Sequence, residues 1–414
     1  MSDPSLAELG RIIRRIEEKT ASRRGPSRRV SREDLLGGIA QETEQGTVLV
    51  VRHRFELAYR HGHQPLGEAR ELGPRSLALL TRMEGPVPDG RRLLYLDAET
   101  TGLAGGTGTY AFLVGVGFFD EEAFEVRQYF MRDLDEEPAL LAALEEVFGR
   151  FDGIVTYNGS GFDVPLLETR FVLARRRFPV DGFHLDLLGP ARRLWSARLA
   201  DCRLGTLEQH VLRFTREDDL PGAVIPSVYF DYLRRKHPGH LSRIFDHNRH
   251  DVLSLAALAG WLGSAVARAP APCFHPEELA GMGRLLEVFD EERGLACYRM
   301  ALAQGLATPW RERTLLRLAV FEKRRSRWDE ARALWEEVIS AGRLFDPRPW
   351  AEIAKVHEHR RRDLAAASAV VEEALLRARR VGAPAPVQAA FEHRLRRLTR
   401  RLAAGVAERP FPGD

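Results

Sequence analysis

The stretch from Arg92 to about Arg177 admits few folds, because its order of elements is legible and does not alternate strand with helix. RLLYLDAE and YAFLVGVGFF read as two strands joined by the glycine-rich TGLAGGTGT, and FEVRQYF around Val126 reads as a third. A helix from Glu137 to Phe148, the short apolar strand GIVTYN and a helix in FDVPLLETRFVLARR complete the run. Three strands that can pair antiparallel, followed by helix, strand and helix, predict an α/β layer with a mixed sheet. A doubly wound dinucleotide fold fits poorly: its first strand should enter a helix through G-x-G-x-x-G, whereas these glycines follow acids and lead into another strand. Upstream, TVLVV at Thr47–Val51 reads as the first ordered strand of the folded unit.

At 414 residues, 44% hydrophobic and 29% charged, the chain has material for two or three domains. No run of eighteen apolar residues occurs, and the opening MSDPSLAELGRIIRRIEEK interleaves charge with apolar residues. Neither a membrane span nor a signal peptide is therefore expected, and the location expected is cytoplasmic. Cys202, Cys273 and Cys297 are odd in number and lack metal-ligand spacing, which fits a reducing compartment and not a zinc ribbon. A net charge of +3 does not by itself identify a nucleic-acid partner, although Arg175-Arg176-Arg177 is a basic cluster able to meet phosphate. Lys19, Lys236, Lys323 and Lys355 are the only lysines, a bias that codon usage explains as well as phosphate recognition does.

Three segments are expected. Residues 1–40 carry a helix with Leu6, Leu9, Ile12, Ile13 and Ile16 at helical spacing and a Ser/Arg-rich linker, 41–268 form the α/β domain, and 269–414 are helical. Tyr298, Trp335 and Val371 recur at steps of about 36 residues in the last segment. Gly294, Ala331 and Ala367 stand four places before them, where a small residue lets paired helices approach. The pattern resembles a tetratricopeptide (TPR) array, with a surface for a protein partner or a buttress for the α/β domain as the two roles it implies.

In YLDAETTGL, Asp97 and Glu99 lie two apart on a strand, so both carboxylates share a face. Their repulsion is relieved when a hard divalent cation takes the oxygens; polar residues at a solvent-facing strand end are the plain alternative. Asp163 opens the helix after Asn158-Gly159, where a capping role also suits it. Asp251 sits on a helix among Val252, Leu255 and Leu258, a setting in which an acid should face a cleft or a metal. Asp186, in HLDLL, is a weaker candidate that either shapes a cleft or ends its strand.

This ordered set, Asp-x-Glu on a strand, Asn-Gly-x-x-Phe-Asp at a strand-to-helix junction and a late Asp on a helix, resembles the three exonuclease motifs of the DEDD superfamily. Thr100-Thr101-Gly102, the glycine-rich turn before Tyr110–Gly115, and HLDLLGPARRLW followed by LGTLEQHVL look like the YprB-like ribonuclease H-like group. The likeness runs from Val50 to about Gly263. It implies a ribonuclease H-like mixed sheet flanked by helices. It also implies Asp97, Glu99, Asp163 and Asp251 as ligands of two Mg²⁺ or Mn²⁺ ions, and a 3′→5′ exonuclease acting on single-stranded DNA or RNA. The family places a Tyr four residues before the last Asp or a His five before it; here the tyrosine spacing carries His247. His247 and Asp251 share a helix face, which suits His247 to serve an attacking water, while His250 points about 100° away. A structural hydrogen bond is the other role open to His247. Gly105, Gly106 and Gly108 would let backbone amides approach a phosphate, or form a plain hairpin. Two other functions remain: a catalytically silent scaffold whose helical repeats bind a protein, and a metal-dependent endonuclease or ribonuclease H.

Overall fold

The computed structural model describes residues 37–102, 108–180, 182–235, 239–341 and 344–407. The N-terminal helix expected over Ser5–Glu18, its linker up to residue 36, and Gly105 and Gly106 lie outside them. By its packing the chain divides into two units, Met1–Ala269 and Pro270–Asp414.

The first unit is built on a seven-stranded sheet. Its strands are β1 (Ile39–Thr43), β2 (Gly46–Glu56), β3 (Leu93–Thr100), β4 (Ala111–Phe119), β5 (Ala123–Phe130), β6 (Gly153–Thr156) and β7 (Phe183–Asp186). Across the sheet the order is β1-β2-β5-β4-β3-β6-β7. The first five strands pair antiparallel, and β6 and β7 run parallel to β3. The sheet is thus mixed, as its element order required. One expectation needs correction: TVLVV is not the first strand, because IAQET pairs with it as a hairpin through Glu44-Gln45. IAQET is polar and half-exposed, so it carries no apolar run to betray it.

Every residue of β4 is buried, which explains its unbroken apolar sequence at the sheet centre. On one face Leu94, Leu96, Val114 and Val116 pack with α1 (Glu137–Phe148) and α2 (Asp163–Leu173). After β7 come α3 (Leu188–Trp195), α4 (Ile225–Arg235) and α5 (Leu241–Arg268). Helix α5 is long and apolar enough to cross a membrane, but 78% of its most apolar window is buried within the protein. It lies against β3, β4 and β5 on the face that carries Tyr95, Asp97 and Glu99.

Two glycines of β4 make that approach possible. Gly115 is paired with Asp97 and Gly117 with Tyr95. A Cβ at Gly115 would fall 2.2 Å from Asn248 Oδ1, and one at Gly117 would fall 2.6 Å from Val252. Asn248, fully buried, fills the space over Gly115: its Oδ1 accepts from Gln128 Nε2 at 2.9 Å and its Nδ2 donates to Asp97 Oδ2 at 2.8 Å. Helix and sheet are therefore fixed in register by a buried polar clamp in which Gln128 Nε2, Asn248 and Asp97 are joined, while Gln128 Oε1 is left without a partner among the described residues.

The second unit contains only helices among its described residues: α6 (Pro276–Leu286), α7 (Glu291–Ala303), α8 (Trp310–Arg324), α9 (Trp328–Ala341), α10 (Pro347–Lys355), α11 (Leu364–Arg380) and α12 (Ala385–Ala407). Helices α6 and α7, α8 and α9, α10 and α11, and α11 and α12 pack as neighbours. Tyr298, Trp335 and Val371 stand on α7, α9 and α11 and are each at most 2% exposed. The small residues serve as their spacing required: Ala331 and Ala367 are buried, and a Cβ at Gly294 would strike the Glu287 backbone at 2.8 Å.

Gly115→Ala is expected to lower stability by about 1–3 kcal/mol through overpacking against Asn248. In urea denaturation with chelator present, the midpoint should fall with an unchanged slope. The added cost of Asn248→Ala should be smaller in the Gly115→Ala background than in the wild type; additive costs would show that the two do not press on one another.

Candidate active site

β3 delivers Asp97 and Glu99 to the α5 face just before a bulge between Glu99 and Thr100 ends the regular pairing. Asp163 arrives from the turn after β6. Asn158 adopts a left-handed conformation there (φ 63°), and Asp186 ties the turn down by accepting from the amides of Asn158 (2.7 Å) and Ser160 (3.2 Å) and from Ser160 Oγ (2.5 Å). Asp186 thus organises the strand-to-helix junction, the shaping role open to it from sequence. The residue preceding α2, Phe162, makes no side-chain cap, and Asp163 is the first residue of the helix, with its carboxyl turned toward the Ala98 amide.

α5 supplies the remaining groups. His247 Nε2 lies 3.3 Å from Asp251 Oδ2 and 3.9 Å from Glu99 Oε1, so these three offer ligand atoms all within 4.8 Å of one another. Asp97 and Asp163 interact electrostatically with Asp251 and with one another. Glu99, His247 and Asp251 therefore meet within ligand reach, and Asp97 and Asp163 stand close enough to feel their charge. His250 does not: its ring packs against His61 and Phe214.

Burial, reinforced by repulsion among the carboxylates, raises the acids: Asp97 well above the usual range, Glu99 to about 8 and Asp163 to about 7. For Glu99 the neighbouring His247 pulls back down, and for Asp163 the backbone amides do. Burial alone would lower His247, but the Asp219 hydrogen bond and the charges of Asp251 and Glu99 outweigh it and raise the imidazole to about 9.

Three further residues complete the site without having been legible in sequence. Asn248 donates to Asp97. Asp219 Oδ1 lies 2.7 Å from His247 Nδ1, which fixes the ring and turns Nε2 toward the acids. Arg216 Nη2 donates to Asp251 Oδ1 and to Glu208 Oε1, both at 2.5 Å, and Glu208, 1% exposed, also accepts from Ser254 Oγ. Asp219 and Arg216 sit in a loop, FTREDDLPG, whose charges read only as solvated polar sequence; nothing local marks them as partners of a helix some thirty residues on. The donor set is hard oxygen throughout with one imidazole, and among the described residues Arg216 and His247 are the positive groups that contact its acids. That set suits a hard divalent cation.

The linkage follows in sign. A carboxyl raised from about 4 to 7 or 8 on folding holds its proton more tightly in the native state, so its contribution is full below about pH 4 and is lost as pH rises through 7–8. Raised His247 acts in the same direction, between about 6.5 and 9. In chelator, Asp97→Asn should therefore raise the melting temperature at pH 8 more than at pH 5. Mn²⁺ should raise it in the wild type more at pH 8 than at pH 6, and little in Asp97→Asn; differential scanning fluorimetry reads all of these.

Residues 94–263 match the model of the RNase_H superfamily, a span that holds all four acids and His247. The chain is 30% identical over 334 residues, 79% of its length and 80% of the relative's, to the uncharacterized protein YprB of Bacillus subtilis (strain 168). Among solved structures, the family B DNA polymerase of Pyrobaculum calidifontis aligns over 54% of this chain with 19% identity and a TM-score of 0.34, and the chain covers 30% of the polymerase's length. The chain belongs to the YprB-like family and carries a domain of the ribonuclease H superfamily followed by a helical region.

Proposed function

We propose that the protein hydrolyses phosphodiester bonds of nucleic acid as a divalent-metal-dependent 3′→5′ exonuclease on single-stranded DNA or RNA. One observation carries the reading: four carboxyls from three separate elements converge on a buried face, where burial and repulsion raise Asp97, Glu99 and Asp163 above their ordinary pKa range. A fold tolerates such a cluster at a cost in stability, and functional sites are where such costs concentrate.

Two divalent ions bound by Asp97, Glu99, Asp163 and Asp251 would supply an acidified water and charge stabilisation at the scissile phosphate. The chain's own residues do the rest. Asn248 holds one oxygen of Asp97 and leaves the other open. Arg216 engages Oδ1 of Asp251, so Oδ2 faces the cluster and His247. Asp219 binds His247 through Nδ1, and Nε2 is the nitrogen left to exchange a proton with a group lying between Glu99 and Asp251. The occupancy of Asp251 by Arg216 also favours a second reading, the silent scaffold in which the guanidinium replaces a cation for good.

Incubation with 3′- and 5′-end-labelled single-stranded DNA and RNA, in Mn²⁺ or Mg²⁺ and in chelator, separates these readings. Metal-dependent shortening from the 3′ end with a circular strand left intact is expected. Cleavage of the circle would make the protein an endonuclease, and no cleavage by the folded protein would leave the scaffold. Asp163→Asn should lower the rate by at least roughly 10²-fold without unfolding the protein. His247→Ala should cost roughly 10²- to 10⁴-fold. Asp219→Asn should cost roughly 10- to 100-fold in kcat with little change in KM, the mark of a residue that orients another.

A further inference from the structure

The second unit holds a groove of about 550 Å³ in which arginine and aromatic side chains dominate and no carboxylate takes part. Trp310, Arg313, Arg317, Val320 and Arg324 recur along α8 at steps of three, four, three and four, so they form one stripe; Arg284 of α6 and Arg348 of α10 border it. Many other arginines of this unit are matched to acids, as with Arg299 and Glu322, Arg325 and Glu291, or Arg397 and Glu358. In the groove, Arg317 pairs with Glu287 and Arg348 with Asp346, but among the described residues Arg313 and Arg324 make no ion pair. Both are exposed and instead lie over aromatic rings, Arg313 at 4.7 Å from the centre of Trp310 and Arg324 at 5.6 Å from that of Phe321. Arg284 reaches the same indole at 5.1 Å, beside the charges of Arg313 and Arg317.

We propose that this groove binds the sugar–phosphate backbone of single-stranded nucleic acid, with Arg313 and Arg324 on phosphates and the exposed Val320 and the edge of the part-buried Trp310 against bases. Guanidinium forks fit phosphate oxygens, and aromatic contact alternating with positive charge is the pattern that tracks a single strand. An acidic polypeptide fits less well. It brings carboxylates for the guanidiniums but no planar bases to lie against Trp310 and Val320. The choice of nucleic acid over another polyanion rests on the hydrolytic reading of the acid cluster; the anion site itself does not.

Fluorescence anisotropy of a labelled oligothymidylate with the full-length protein in chelator, over a range of salt concentrations, tests the proposal. Compared with wild type, Arg313→Gln/Arg324→Gln should bind several-fold more weakly. Its plot of log affinity against log salt should be shallower by about 1.4, two single-strand phosphate contacts at about 0.7 each. Arg313→Lys/Arg324→Lys should keep most of the slope, because the charge remains. An equal melting temperature for the three proteins shows that the groove's fold is intact. Unchanged affinity and slope in the Gln pair, or no binding by wild type, overturns the proposal. So does displacement of the oligonucleotide from the wild type, but not from the Gln pair, by micromolar poly-glutamate, which would assign the groove to an acidic protein segment. Because binding is read without metal, nuclease activity with no effect of the Gln pair removes only the groove, and weakened binding in a protein that never hydrolyses removes only the nuclease.

Discussion

The site depends on one close contact, the seating of Asn248 over Gly115. A helix normally stands off a sheet by the height of its side chains, but two glycines on the central strand let α5 sink until an amide bridges Gln128 and Asp97. Once Asn248 is fixed, helical geometry does the remainder: His247 and Asp251 turn toward the end of β3, where the pleat has already placed Asp97 and Glu99 together. The apolar partners that hold the helix there, Val252, Leu255 and Leu258, are all buried, so the hydrophobic effect supplies the force that presses like charges into one another's company.

That opposition explains the electrostatics. Desolvation and repulsion raise Asp97, Glu99 and Asp163, while Asp219 and Arg216 supply the compensating contacts, one through His247 and one directly to Asp251. The buried chain from Ser254 through Glu208 to Arg216 keeps the guanidinium from swinging away. The cluster is therefore held in place by its surroundings more than by attraction within itself, which is the condition for a site that binds a cation of higher charge.

How much of this a sequence discloses depends on whether the information is local. The period-two spacing of Asp97 and Glu99, the Asn-Gly turn before Asp163 and the i, i+4 relation of His247 to Asp251 are local, and each points to its partner in the folded protein. The apolar runs of β3, β4 and β6 are equally plain, and they fix a mixed sheet. The edge strand IAQET escaped because edges are polar. Asn248, Asp219 and Arg216 escaped because their roles exist only through residues far away in the chain, Gly115 and Gln128 for one and His247 and Asp251 for the others. Gly115 itself sits in the conspicuous LVGVG, yet its meaning is the shape of the helix that lands on it. In the second unit the recurrence of Tyr298, Trp335 and Val371 was visible, while the arginine stripe of α8 was hidden in a chain where arginine is everywhere.

Calorimetric titration of Mn²⁺ into the metal-free protein at pH 7, repeated in buffers of different ionisation enthalpy, tests the central claim most directly. Carboxyls held partly protonated by their neighbours must release protons when an ion takes their oxygens, so binding with net proton release, abolished in Asp251→Asn, is the predicted result. Absence of binding, or binding that survives loss of Asp251 with no proton released, would contradict it.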